Sequence, residues 1–91
     1  MSTPEKNITY EIKAHLGVIK KHDTGWNREL NLVSWNGSPE KYDIRDWDSR
    51  HERMSRGITL HEDEMDTIVA LYDTFHFSRE NKMPAEGADL M

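Results

Sequence analysis

The sequence predicts an α+β fold in the order β-β-β-β-α, a four-stranded antiparallel sheet followed by one C-terminal helix. Three observations carry that expectation. The first sixty residues break into short runs in which apolar and polar side chains alternate with a period of two, as in strands with one face toward a core. Asn36-Gly37-Ser38-Pro39 separates two of these runs with a hairpin signal, because Asn-Gly supplies the positive φ angles that tight turns need. Beyond residue 60 the period changes: Met65, Ile68, Val69, Tyr72 and Phe75 recur at the spacing of one helix face.

Residues 8–22 open with Ile8, Tyr10, Ile12, Ala14, Leu16 and Val18 on one expected face and Thr9, Glu11, Lys13 and His15 on the other. Gly17 marks a bend or bulge, since Ile19 breaks the alternation. Lys20 to Gly25 reads as a turn. A second strand runs from about Trp26 to Trp35. Leu30 and Leu32 share one parity while Val33 and Trp35 share the other, so either both faces are covered or a bulge separates Leu32 from Val33. The third strand, Lys41–Trp47, returns antiparallel through the Asn-Gly turn. Asp48 to Arg53 is a polar connection, and Met54–Leu60 is a short fourth strand in which Gly57 suggests close approach of a backbone or ligand. The helix is expected from His61 or Glu62 to about Phe75 or His76. Glu62, Asp63 and Glu64 favour the positive end of its dipole, and Thr59-x-x-Glu62 has the form of a capping box. Residues 78–91 read as a disordered acidic tail, residues 1–7 as a flexible N-terminus, and 8–77 as the single domain.

The third strand is the unusual one. Lys41, Asp43, Arg45 and Trp47 share one side, with Tyr42 and Ile44 on the other. Two cations and a ring on one strand face suit an anionic ligand with flat bases. On the first strand, Lys13 and Lys21 share the outward parity and are candidate additions to such a face. Simpler readings compete. Trp35 and Trp47 could be core residues, Trp26 could serve either purpose, Arg45 could pair only with Asp43 or Asp46, and the lysines could simply be solvated.

Composition narrows the classes. The 91-residue chain supports one modest core. It has no cysteine, which excludes disulfides and thiolate metal sites. No apolar run approaches the roughly 20 residues of a membrane span, and the first six residues lack the apolar centre of a secretory signal. The net charge of −5 is unevenly spread: residues 1–61 hold ten basic and nine acidic residues, residues 62–91 two and eight. The five histidines show no metal-ligand spacing, and Asp46 and Asp48 have no accompanying nucleophile, so neither a metal, a cofactor nor an enzyme is expected. A sheet with one helix buries little area, and a homodimer through Met65, Ile68, Val69, Tyr72 and Phe75 is the expected remedy.

The succession Lys41-Tyr42-Asp43-Ile44-Arg45-x-Trp47, Arg56-Gly57-Ile58-Thr59-Leu60 and an acidic helix start resembles the single-stranded-DNA-binding domain of the transcriptional positive cofactor four family. Gly25-Trp26, Glu29-Leu30-Asn31 and Val33-Ser34-Trp35-Asn36 resemble its bacterial YdbC-type relatives most closely. The resemblance covers about residues 8–76. It implies a homodimer of curved sheets whose concave faces bind single strands, with Arg28, Arg45 and Arg56 as basic positions and Trp35 and Trp47 as stacking positions. Trp47 stands one residue closer to the arginine than in the eukaryotic pattern, and the basic complement is thinner.

The resulting expectation is a non-enzymatic homodimer that binds single-stranded DNA without sequence preference, in support of transcription, replication or repair in the bacterial cytoplasm or on the nucleoid. Lys13, Lys21, Trp26, Arg28, Trp35, Lys41, Arg45, Trp47 and Arg56 form the expected interface. No residue distinguishes DNA from RNA. The alternative is a dimeric protein-interaction module that does not bind nucleic acid, meeting a basic partner through the sheet face or the acidic C-terminal third.

Overall fold

The computed structural model describes residues 8–81 and contains β1 (Tyr10–Lys21), β2 (Asn27–Trp35), β3 (Lys41–Trp47), β4 (Met54–Leu60) and α1 (Glu62–Asn81). The strands form one antiparallel sheet in the order β1-β2-β3-β4. The expected order of elements and the antiparallel pairing are therefore present. The sheet and the helix form two compact units.

Turn chemistry explains the sharpest connection. Asn36 and Gly37 have φ of 54° and 77°, and the Ser38 amide donates to the Trp35 carbonyl at 2.9 Å. Two successive positive φ values are the mark of a hairpin turn whose twist matches the strands. At the other end of β2, Gly25 takes φ 96° and its amide donates to the His22 carbonyl at 3.1 Å, which closes the β1–β2 turn.

Cross-strand partners share a face of the sheet, so the register assigns the two faces. β2 and β3 pair without a break, Asn31 opposite Asp43 and Glu29 opposite Arg45. Of the two alternatives for β2, the strand carries apolar residues on both faces. The irregularities lie in β1, where the register shifts between Ile12 and Ala14, His15 and Gly17, and Val18 and Lys20. The second of these is at Gly17, as expected. Each extra residue turns the following side chains over. The single apolar face expected for residues 8–18 is therefore corrected. Tyr10, Ile12, His15, Val18 and Lys21 align with Trp35, Val33, Asn31, Glu29 and Asn27, whereas Ala14, Gly17 and Lys20 align with Leu32, Leu30 and Arg28.

One face thus holds Tyr10, Trp35, Asp43, Arg45, Trp47 and Thr59; the other holds Leu30, Leu32, Tyr42, Ile44 and Ile58. The fully buried residues Val33, Asn31, Asp43 and Trp47 all belong to the first, polar-aromatic face.

The helix runs to Asn81, beyond the expected end near Phe75 or His76. Ser78 to Asn81 contain no Gly or Pro, and Arg79 sits in the last turn, where a cation suits the dipole. The Arg79 guanidinium also lies 5.4 Å from the Phe75 ring centroid. Four residues expected in the tail are therefore helical; the rest of that segment, 82–91, and the N-terminal residues 1–7 lie outside the described residues. The Thr59 hydroxyl donates to the Asp43 carboxylate at 2.9 Å.

Candidate nucleic-acid interface

Arg45 occupies the middle of the polar-aromatic face. Its Nε donates to Asp43 Oδ1 at 2.6 Å and its Nη2 to Asp43 Oδ2 at 2.8 Å, a two-pronged charge-assisted pair. The guanidinium carbon lies 4.7 Å from the centre of the Trp35 ring, within cation–π range. Directly across on β4 is Gly57, where a Cβ would collide with the Arg45 Cβ and the Ile44 carbonyl. The glycine thus provides room for the arginine stem, the close approach that its position in a strand suggested.

Around this centre is a groove of about 760 Å³. Tyr10 and Trp35 supply rings, Arg45 and Arg56 cations, and Met54, Ser55 and Thr59 the floor and wall toward β4. Tyr10 and Trp35 are 5.9 Å apart at 48°. A β3–β4 register shift between Arg45 and Trp47 brings Arg56 to this groove. Near the shift the Ser55 hydroxyl accepts the Asp46 amide at 3.1 Å and donates to the Arg56 carbonyl at 2.7 Å. Asn36, at the groove's end, accepts the Thr9 amide on Oδ1 at 2.8 Å, tying the residue before β1 to the hairpin.

Trp47 shares the face but is fully buried. Its ring lies 5.2 Å from Tyr10 and 5.6 Å from His51. The β3–β4 loop makes this cover. The Asp48 carboxylate accepts the Glu52 and Arg53 amides at 2.8 and 3.0 Å, His51 takes φ 59°, and the His51 carbonyl accepts the Tyr10 hydroxyl. His51 Nε2 in turn reaches both oxygens of buried Glu29 at 2.9 Å. Asn31 Nδ2 donates to the same carboxylate at 3.1 Å, and His15 Nδ1 stands 2.7 Å from Asn31 Oδ1. A histidine from β1 and one from the β3–β4 loop therefore meet around one β2 carboxylate. Their spacing in the sequence gives no sign of this meeting, which the β1 register shifts and the return of the β3–β4 loop produce. Among the described residues, no group of three or more such side chains could hold a metal ion.

The nine expected interface residues separate accordingly. Trp35, Lys41, Arg45 and Lys21 share the polar-aromatic face by register, and Arg56 lines its groove. Trp47 shares the face as a buried ring, so in this conformation it offers no surface to a base, which corrects its stacking role. Arg28 is corrected too. It aligns with Lys20 and Asp46 on the opposite face, and its Nε donates to Asp46 at 2.9 Å. His22 Nε2 stands 3.2 Å from the same carboxylate. The Arg28 hydrogen bond, with the help of His22, holds the Asp46 carboxyl below the usual carboxylate range against the cost of its partial burial. Asp48 is lowered as well, first by the Arg53 amide. Lys13 lies at the first bulge, 3.6 Å from Glu11, and half-buried Trp26 sits in the turn before β2. Tyr10 was absent from the expected interface. Its alignment with Trp35 was concealed by the apparent continuity of β1.

No helix among the described residues is long and apolar enough to cross a membrane. The family description that matches this chain, over residues 22–71, is Transcriptional Coactivator p15 (PC4). The match takes in the β1–β2 turn, β2, β3, β4 and the first half of the helix. An uncharacterized protein of Treponema pallidum (strain Nichols) is 45% identical over 64 residues, spanning 70% of this chain and 72% of that protein. The chain belongs to the transcriptional coactivator p15 (PC4) family, with the nucleic-acid-binding, transcription-cofactor-like character of that family.

Proposed function

We propose that this protein is a non-enzymatic, homodimeric binder of single-stranded DNA that acts without sequence preference. The carrying observation is the groove itself: two rings, Tyr10 and Trp35, and two cations, Arg45 and Arg56, line one face of the sheet, and all but Tyr10 fall within the matching family domain. Single-strand binding of this kind needs flat side chains on which any base stacks and cations that follow the phosphates. Trp35 and Tyr10 supply the stacking surfaces, and Lys21, Lys41 and Arg56 the phosphate contacts. Dimerisation through Met65, Ile68, Val69, Tyr72 and Phe75 would place two such faces in one particle. It is supported by the apolar stripe along the helix, which calls for cover.

The direct test is anisotropy with a labelled oligo-dT. Trp35→Ala should weaken binding by about 1–3 kcal/mol, the worth of one stacked base, while leaving the far-ultraviolet spectrum unchanged. Unaltered affinity in the folded variant would remove Trp35 from the interface.

A further inference from the structure

Arg45 is the most completely engaged cation of the polar-aromatic face. An arginine has five N–H donors in a fixed fork. Two of them grip the Asp43 carboxylate at 2.6 and 2.8 Å, and Nη1 points at the Ser55 carbonyl at 3.3 Å and the Met54 sulfur at 3.8 Å. Asp43 is fully buried, and its Oδ2 also accepts the Thr59 hydroxyl at 2.9 Å. The Arg45 side chain is 14% exposed, its stem lies over Gly57, and its flat end lies 4.7 Å from the centre of Trp35. A buried carboxylate needs a paired cation, so the charge of Arg45 already has its counter-charge inside the sheet.

We propose that Arg45 is a positioning residue rather than a phosphate contact: with Asp43 and Thr59 it forms a rigid brace that fixes the Trp35 ring for stacking. This deepens the reading of the groove as a single-strand site and rests on it. Counterion release then comes from Lys21, Lys41 and Arg56, and the arginine contributes orientation. The geometry favours the brace because a phosphate reaching Arg45 would compete with a two-pronged carboxylate, with the second prong already taken and little of the side chain open to solvent. Arginine suits the brace for its planar fork and its flat stacking surface, both of which lysine lacks.

The salt dependence of oligo-dT binding separates the two roles, because each phosphate neutralised on a single strand contributes about −0.7 to the slope of log K against log salt. The neutral pair Asp43→Asn with Arg45→Gln keeps the net charge of the chain and a hydrogen-bonding partner for Thr59. The brace predicts roughly tenfold weaker binding with the wild-type slope. A slope shallower by about 0.7 per chain would show that Arg45 touches a phosphate and overturn the proposal, and unchanged affinity would overturn it equally. Arg45→Lys is the companion variant, usable if the neutral pair fails to fold. The brace predicts that it too binds more weakly at an unchanged slope, whereas wild-type affinity with lysine would mean that a point charge suffices. Failure of the wild-type chain to bind any oligonucleotide would overturn the groove reading and the brace together; an altered slope in a variant of a binding-competent wild type overturns the brace alone.

Discussion

Replacing Trp47 by alanine should cost stability rather than affinity in the first instance. The ring is fully buried, packed 5.2 Å from Tyr10 and 5.6 Å from His51, beneath a loop held by His51 on Glu29. Removing a buried tryptophan costs about 3–5 kcal/mol, the loss of apolar transfer plus the cavity left behind. For a domain of this size each kcal/mol moves the melting temperature by roughly 4–8 °C, so the midpoint should fall by about 12 °C or more. The assay is thermal unfolding followed by circular dichroism, with wild type, Trp47→Ala and Trp47→Phe compared at one chain concentration, since the midpoint of an assembled protein depends on concentration. Trp47→Phe should lose much less, because the ring survives and the indole N–H, buried here without an acceptor among the described residues, is removed. Trp47→Ala within about 1 kcal/mol of wild type, combined with lost oligonucleotide binding, would refute the reasoning. It would mean that the ring is open in solution and stacks on bases.

Gly57→Ala should destabilise by about 1–3 kcal/mol through overpacking against the Arg45 stem and the Ile44 carbonyl, read as a lowered urea midpoint. Asp46 and Arg28 give a titration test. The folded carboxyl is lowered, so its contribution to stability is present above its ordinary value near 3.8 and is lost as pH falls through the lower folded value; Arg28→Ala should move the Asp46 carbon resonance midpoint upward. In sedimentation, Val69→Glu should dissociate the proposed dimer, because it places a charge within the apolar stripe; a variant that sediments as wild type would exclude that face as the contact.

The strands whose pattern is strict were legible. The bounds of β3 and β4 follow the alternation, and the Asn-Gly turn has the φ values its residues suggest. β1 was legible as a strand but not as two faces, because Lys13, Leu16 and Ile19 fit a strand as well as a bulge does. The burial of Trp47 was hidden for a related reason: the loop that covers it holds His51 at a positive φ, and a lone histidine in a polar run does not announce that conformation. Arg28 was different. Its parity on β2 is opposite to that of Trp35, so alternation alone places the two on different faces, and position-by-position likeness to the family pattern pointed the other way. At the helix end, Ser78-Arg79-Glu80-Asn81 looked like the start of a tail because it is polar, yet nothing in it breaks a helix.

The central claim is that one face of the sheet follows phosphates while its rings hold bases. Titration of labelled oligo-dT at low and at moderate salt tests it most directly. With Lys21, Lys41 and Arg56 as the phosphate contacts, the account predicts clear binding at low salt and a log–log slope of roughly −2 per chain. Absence of binding at low salt, or an affinity indifferent to salt, would contradict it.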